Sequence, residues 1–165
     1  MIGRSVIASL FFIFLKMSKT YTIRDARESD VNQLSILITQ LGYPCTPDEV
    51  LTRFNSVHNH PDYRTLVIAD GGEPIAMAGL IKGFWYEKNG TYVRILAFVV
   101  DEDYRGEGIG KMLIKAIEDW AVELGVNAVV LSSGNKHERI GAHRFYQSLG
   151  YEIKSSGFIK QLSHQ

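Results

Sequence analysis

From residue 20 onward the spacing of apolar positions switches repeatedly between two periods, and each switch marks an element. "TYTIRDA" (20–26) reads as a half-buried strand, whereas "ESDVNQLSILITQL" (28–41) sets Val31, Leu34, Leu37, Ile38 and Leu41 at helical spacing and stops at Gly42. After the turn "GYPCTP", Thr46 is expected to cap a second helix with Pro47 at its first position and Val50, Leu51 and Phe54 on one side. "RTLVIAD" (64–70), "PIAMAGLIKGFWY" (74–86) and "TYVRILAFVV" (91–100) read as strands separated by the turn signals "GGE" and "EKNG". Helix returns over 108–124, with Ile109, Leu113, Ile117, Trp120 and Leu124 on its core face, and ends at Gly125. A strand at 127–133, a helix at 138–149 stopped by Gly150, and two short strands near 151–154 and 157–162 complete the chain. No repeat, low-complexity run or linker divides it, so the pattern predicts one mixed α/β domain.

Residues 1–16 do not share this pattern. "SVIASLFFIFL" (5–15) is apolar but about half the ~20 residues a spanning helix needs. Arg4 before it imitates a signal peptide, yet Lys16, Met17, Ser18 and Lys19 offer no small-residue cleavage site. Two readings of this extension stay open, a start assigned upstream of a true first residue at Met17 and a weak anchor. Either way the domain is expected over 17–165.

Composition narrows the partners. At 165 residues, 45% hydrophobic and 22% charged, the chain can bury a real core. Its 18 Lys and Arg balance its 18 Asp and Glu, so nothing global draws it to nucleic acid or a membrane, and any anion site must be local. The single cysteine, Cys45, forms no internal disulfide and fits a reducing, cytoplasmic setting. No metal is expected.

The chemistry concentrates in "VVDEDYRGEGIGKMLIKAIEDWA" (99–121), where a strand runs through an arginine and three glycines into a helix. A short loop there would aim its own N–H groups and the helix's first unpaired N–H groups at one spot, which suits an anion. Glycine tolerates positive φ and lets a pyrophosphate approach the backbone, while Arg105 and Lys111 add charge. A glycine-rich turn without ligand has the same local appearance. A P-loop is excluded, because Arg105 stands where its first glycine belongs and Met112 where its serine or threonine belongs. A dinucleotide fingerprint is excluded too, because the pattern is G-x-G-x-G and follows an antiparallel meander.

Arg105-Gly106-Glu107-Gly108-Ile109-Gly110 resembles the acetyl-coenzyme A loop of the Gcn5-related N-acetyltransferase (GNAT) superfamily, Arg/Gln-x-x-Gly-x-Gly/Ala. "AHRFYQSLGYE" (142–152) is similar to that family's later motif, a tyrosine followed four residues on by glycine and an aromatic. The resemblance covers roughly residues 20 to 162. It implies the acyl-CoA N-acyltransferase fold, a mixed six- to seven-stranded sheet flanked by about four helices. It also implies an enzyme that moves the acetyl group of acetyl-CoA to a primary amine by direct attack in a ternary complex.

By the same resemblance, Phe98, Val99 and Val100 pair with the pantetheine arm as an added strand, and Gly106, Glu107, Gly108, Ile109, Gly110 and Lys111 hold the pyrophosphate. The thioester then lies between strands 91–100 and 127–133. Tyr146 matches the tyrosine that protonates the departing thiolate, whereas its neighbour Phe145 is the better core residue. Two positions depart from the family. Arg139 replaces an asparagine that contacts pantetheine, and is expected to reach phosphate or to structure the loop "GNKHER". Arg94 replaces the glutamate base of some protein-lysine acetyltransferases, which leaves a water chain, Glu87, His137 or an amine that arrives neutral.

Acceptor contacts are expected from "LGYPCT" (41–46), "FNSVHNHPDYR" (54–64) and "GFWYEKNG" (83–90), where Tyr43, Tyr63, Trp85 and Tyr86 could pack on an acceptor or form a dimer contact. No acidic cluster awaits a polycation. An aminoglycoside is thus possible but not favoured; a small-molecule amine is expected as the acceptor, with a protein lysine or N-terminus as the alternative. A rival of another class, an acetyl-CoA sensor without turnover, keeps the loop but gives no reason for Tyr146.

Overall fold

In the computed structural model, which describes residues 19–134 and 139–162, nine regular elements follow one another. They are β1 (Tyr21–Asp25), α1 (Val31–Gln40), α2 (Pro47–Val57), β2 (Tyr63–Asp70), β3 (Glu73–Phe84), β4 (Thr91–Val100), α3 (Ile109–Glu123), β5 (Val129–Leu131) and α4 (Ile140–Ser148). The expected extension at 1–16 and the proposed start at Met17 lie outside the described residues.

The strands form one sheet in chain order. β1 to β4 are antiparallel and β5 is parallel to β4, reached through α3 as a parallel crossover requires. Helices cover both faces. Leu66, Ile68, Ala78, Leu80, Val93 and Ile95 join Ile109, Leu113, Ile114 and Ile117 of α3 in one core. On the other face Val67, Met77 and Val99 pack with Leu34 and Leu37 of α1 and with Val50 and Phe54 of α2. The long runs without polar alternation in β2 and β3 follow from this double burial.

Local chemistry fixes the helix starts. The Thr46 hydroxyl accepts from Glu49 N at 3.3 Å and the Glu49 carboxylate accepts from Thr46 N at 2.8 Å, a reciprocal cap ahead of Pro47. α1 is held by Asp30, buried at its start, which accepts two bonds from the Arg24 guanidinium at 2.7 and 2.9 Å and one from Arg27 N at 2.8 Å. Burial pushes this carboxyl up, but the guanidinium and the amide outweigh it and hold it below the usual carboxylate range.

β4 carries the irregularity that shapes the molecule. Leu80 pairs with Ile95 and Gly79 with Ala97, so Leu96 has no opposite number on β3. One extra residue reverses the facing of everything beyond it. Val93 and Ile95 face α3, and after the bulge it is Phe98 and Val100 that pack on that side while Val99 turns toward α1.

The sheet is shorter at its end than the alternation predicts. Five strands form rather than six or seven, β5 keeps only Val129–Leu131 of the expected 127–133, and no strand forms over 151–162. Tyr151 is tied down by its N–H to Tyr146 O at 3.1 Å and its hydroxyl to Glu118 at 3.3 Å. Beyond it Ile153, Phe158, Ile159 and Leu162 are exposed. A three-residue edge offers too short a ladder for two further strands, and Ser155-Ser156-Gly157 interrupts the apolar alternation that would have carried them.

Candidate active site

Parallel pairing between β4 and β5 spans three rungs and ends at Ile95↔Leu131, immediately before the bulge. Leu96–Val100 then runs on with β3 on one side and no strand on the other, about 13 Å of open edge among the described residues. A free strand edge accepts an extended chain through main-chain hydrogen bonds. Only backbone is on offer at Val99, whose side chain is buried toward α1, whereas Phe98 and Val100 are half-buried toward α3 and α4.

The edge leads up to the glycine loop, where the three glycines answer to two different demands. Gly106 and Gly108 have φ of +82° and +86°, and an added Cβ would meet nothing within 4 Å, so conformation and open space explain them. Gly108 is the cap residue of α3, and the N–H groups of Ile109, Gly110 and Lys111 have no helical partner. Gly110 is ordinary in conformation, but a Cβ there would lie 3.2 Å from Phe145 Cζ and 3.7 Å from Val100 Cγ2. It is glycine because α4 and β4 pack against it. Ile109 is sealed in the core, leaving only its N–H to the loop, and Lys111 is exposed. Arg105 Nε donates to Val100 O at 3.1 Å and so folds the loop back onto β4.

Glu107 would seem to spoil an anion site, since a carboxylate repels phosphate. Its side chain is drawn away by Tyr21 Oη, which donates to it at 2.7 Å, and by Lys19 Nζ at 2.9 Å. Lys19 also lies 4.7 Å from the Tyr104 ring centroid, and Tyr104 donates to Asp70 at 3.2 Å. Lys19 gains affinity for its proton from Glu107. Lys19 and Tyr21 were not legible as site residues, because 88 and 86 residues separate them from Glu107.

Tyr146 stands beside the open edge, its ring centroid 6.0 Å from Phe98, 5.2 Å from Phe145 and 5.8 Å from Tyr151. Among the described residues its hydroxyl makes no hydrogen bond. Burial pushes the phenol up to about 12, with Arg139 pulling weakly the other way. Phe145 packs between α3 and Phe98, whose ring centroid is 5.9 Å away.

The lower end of the gap is lined by side chains. Arg94, between Val93 and Ile95, lies on the α1/α2 face and its Nη2 donates to Ser132 Oγ at 2.9 Å, spanning β4 and the residue after β5. Arg139 belongs instead to the upper end: its Nη2 donates to Leu41 O at 3.1 Å, joining α4 to the end of α1, where the Gln40 side chain bonds Asp101 and Glu102 N just past β4. Glu87 is exposed in the β3–β4 turn, four rungs or about 13 Å of strand from the end of the β5 ladder. His137 lies outside the described residues. A cleft of about 240 Å³ beside His58, Tyr63 and Arg64 is separated from the gap by β3, and its Arg64 is already paired with Asp25 at 2.6 Å.

The sequence matches the model of the Acetyltransferase (GNAT) family over residues 30–151, most of the described chain. The chain belongs to the GNAT acetyltransferase family. A GNAT family acetyltransferase of Staphylococcus aureus is 36% identical with a TM-score of 0.75, over 87% of this chain and 99% of that one. Human N-acetylaspartate synthetase is 35% identical over 75 residues, 46% of this chain and 24% of the synthetase. An aminoglycoside N-acetyltransferase solved with CoA, at 17% identity, shares the fold alone, with a TM-score of 0.78 over 90% of this chain and 98% of that one. The chain spans less than two thirds of the length of the curated relatives it matches, from 24% to 59%. This GNAT family member has the family's mixed sheet, five strands flanked by four helices among its described residues. Among its described residues no helix is long and apolar enough to cross a membrane, and no three His, Cys, Asp or Glu are grouped to hold a metal.

Proposed function

We propose that this enzyme transfers the acetyl group of acetyl-CoA to the primary amine of a small molecule in a ternary complex, within the cytoplasm. The observation that carries the reading is the open edge Leu96–Val100, which runs from the end of the β5 ladder to a loop with two left-handed glycines and unpaired helix N–H groups. That edge suits the pantetheine arm, and the loop with Arg105 and Lys111 suits the pyrophosphate. The acetyl thioester then reaches the bulge, where β5 leaves β4.

The amine lone pair attacks the thioester carbonyl carbon, the C–S bond breaks, and its electron pair goes to sulfur. Tyr146 donates its phenolic proton to that sulfur. In water a thiolate near ~8.5 takes a proton from a phenol near ~10 only uphill. Beside Phe98 and Phe145 burial raises the phenol to about 12, and the same dry surroundings disfavour the thiolate anion, so burial acts on donor and acceptor in the same direction. The amine loses its own proton to water, because Arg94 occupies the place of a glutamate base and Glu87 is remote. N-acetylaspartate synthetase is named for a small-molecule amine, in keeping with this reading.

Calorimetry with acetyl-CoA, followed by thiol release with a panel of primary amines, tests it. Binding together with amine-dependent thiol release is expected. Binding with no release for any amine would favour a sensor, and release only with peptide amines would favour a protein acetyltransferase.

A further inference from the structure

We infer that the acceptor is an amine carrying an acid group, a carboxylate or a phosphate, and that Arg94 holds that group. The inference rests on the acetyl-CoA reading above and adds the chemistry of the second substrate. Arg94 stands one residue before the end of the β5 ladder, paired with Ile81 on β3 and Val130 on β5, so its guanidinium is at the vertex where the thioester would lie. Val93 and Ile95 on either side face α3, which puts Arg94 on the opposite face, the one left open to an acceptor. Its Nη2 bond to Ser132 fixes the guanidinium across the gap and leaves its other N–H donors uncommitted.

The charges around it are one-sided. Among the described residues Arg94 makes no ion pair, and its hydrogen bond goes to a neutral hydroxyl. Five described cations, Lys19, Arg24, Arg64, Lys115 and Lys154, are each paired with a carboxylate, and Arg94 at the vertex is not. Further along its face the wall is apolar and aromatic, with Lys88 Nζ 4.3 Å from the Trp85 ring centroid. Leu96 is exposed at the bulge, and Tyr92 stacks on Trp85 with centroids 4.4 Å apart. A guanidinium offered beside an apolar wall, with no carboxylate paired to it among the described residues, suits a bidentate oxyanion and repels a polycation. An acid two or three atoms from the amine would be held while the nitrogen reaches the carbonyl carbon.

The test compares matched amines by thiol release: β-alanine with propylamine, O-phosphoethanolamine with ethanolamine, and spermidine as the polycation. The acid-bearing amine of at least one pair is expected to exceed its neutral partner about 10- to 100-fold in kcat/KM, the scale of one charge-assisted bidentate contact, with most of the gap in KM. Whichever pair shows the larger gap identifies carboxylate or phosphate. In Arg94→Met the gap should close to within about threefold while acetyl-CoA affinity by calorimetry stays at the wild-type value, and Arg94→Lys should restore part of it. Arg94→Glu should turn the preference toward spermidine. Equal or better turnover of the neutral amines or of spermidine by the wild type, or a gap that survives Arg94→Met, overturns the inference and leaves the transferase standing. A wild type that binds no acetyl-CoA overturns the transferase reading and this inference with it.

Discussion

Along the same β4 strand, the upper stretch Leu96–Val100 and its glycine loop present backbone, while the lower stretch presents side chains, Arg94 joined to Ser132 from beyond β5. The upper end needs N–H groups, open space and left-handed φ, which five consecutive residues after Arg105 supply. The lower end needs a guanidinium from β4, a hydroxyl from beyond β5 and a wall from the β3–β4 hairpin. A site made of backbone tolerates change in most side chains and fails when glycine is lost. A site made of side chains can be retuned one residue at a time, which is how one scaffold can serve different acceptors.

The contrast can be broken most sharply between the two ends, at Tyr146. Tyr146→Phe keeps the ring against Phe98 and Phe145, so acetyl-CoA affinity by calorimetry should change less than about twofold while kcat in thiol release falls by ~10²–10⁴. A kcat within about threefold would make Tyr146 a packing residue. The pH profile adds a sign. Because burial lifts the phenol to about 12, the proton it donates is still present where an ordinary tyrosine would have lost it. kcat should therefore stay level through pH ~10 and decline only toward 12. The stability gained from keeping Tyr146 neutral is likewise full below pH ~10 and lost as pH rises through about 12.

The upper end should answer next. Gly108→Val forces a β-branched residue into φ near +86°, a strain of ~1–3 kcal/mol, and fills space that is open around the glycine. Its acetyl-CoA Kd should rise by about 10- to 100-fold, with kcat at saturation nearly kept. Gly110→Ala separates the two roles of glycine, because its Cβ crowds the Phe145 ring rather than open space. Thermal unfolding should show a loss of ~1–2 kcal/mol with acetyl-CoA affinity close to wild type, and Phe145→Leu should recover part of it. An affinity loss as large as that of Gly108→Val would mean that all three glycines face the ligand.

The smallest effect belongs to the tie that restrains Glu107. Tyr21→Phe removes one donor to an exposed carboxylate, and the acetyl-CoA Kd should rise about two- to fivefold, less so at high salt. No change at all would show that the loop holds its shape without β1.

What the sequence disclosed divides along the same line. Apolar periodicity placed α1, α2, β2, β3 and α3 within a few residues, because each buries a long face, and the left-handed loop was visible because only glycine tolerates it. Alternation over 151–162 looked like two strands, but a strand exists only with a partner, and β5 offers three residues. The bulge at Leu96 was invisible, since an unbroken apolar run hides which face each residue takes. Arg94 was noticed as a missing glutamate, and its meaning as a donor came only with Ser132 across the gap. The bond from Tyr21 to Glu107 crosses 86 residues and has no local signature.

The unpaired Leu96 acts on β4 as an inserted letter acts on a message read in pairs. Below it, odd-numbered Val93 and Ile95 belong to the α3 layer, and above it even-numbered Phe98 and Val100 do. Losing a paired residue from this strand is therefore a frame shift in three dimensions. Deleting Leu96 itself would take the inserted letter out: Ile95 and Ala97 would follow one another in regular alternation opposite Leu80 and Gly79, Phe98 and Val100 would stay on the α3 side, and the loss would fall on the bulge where the β5 ladder ends.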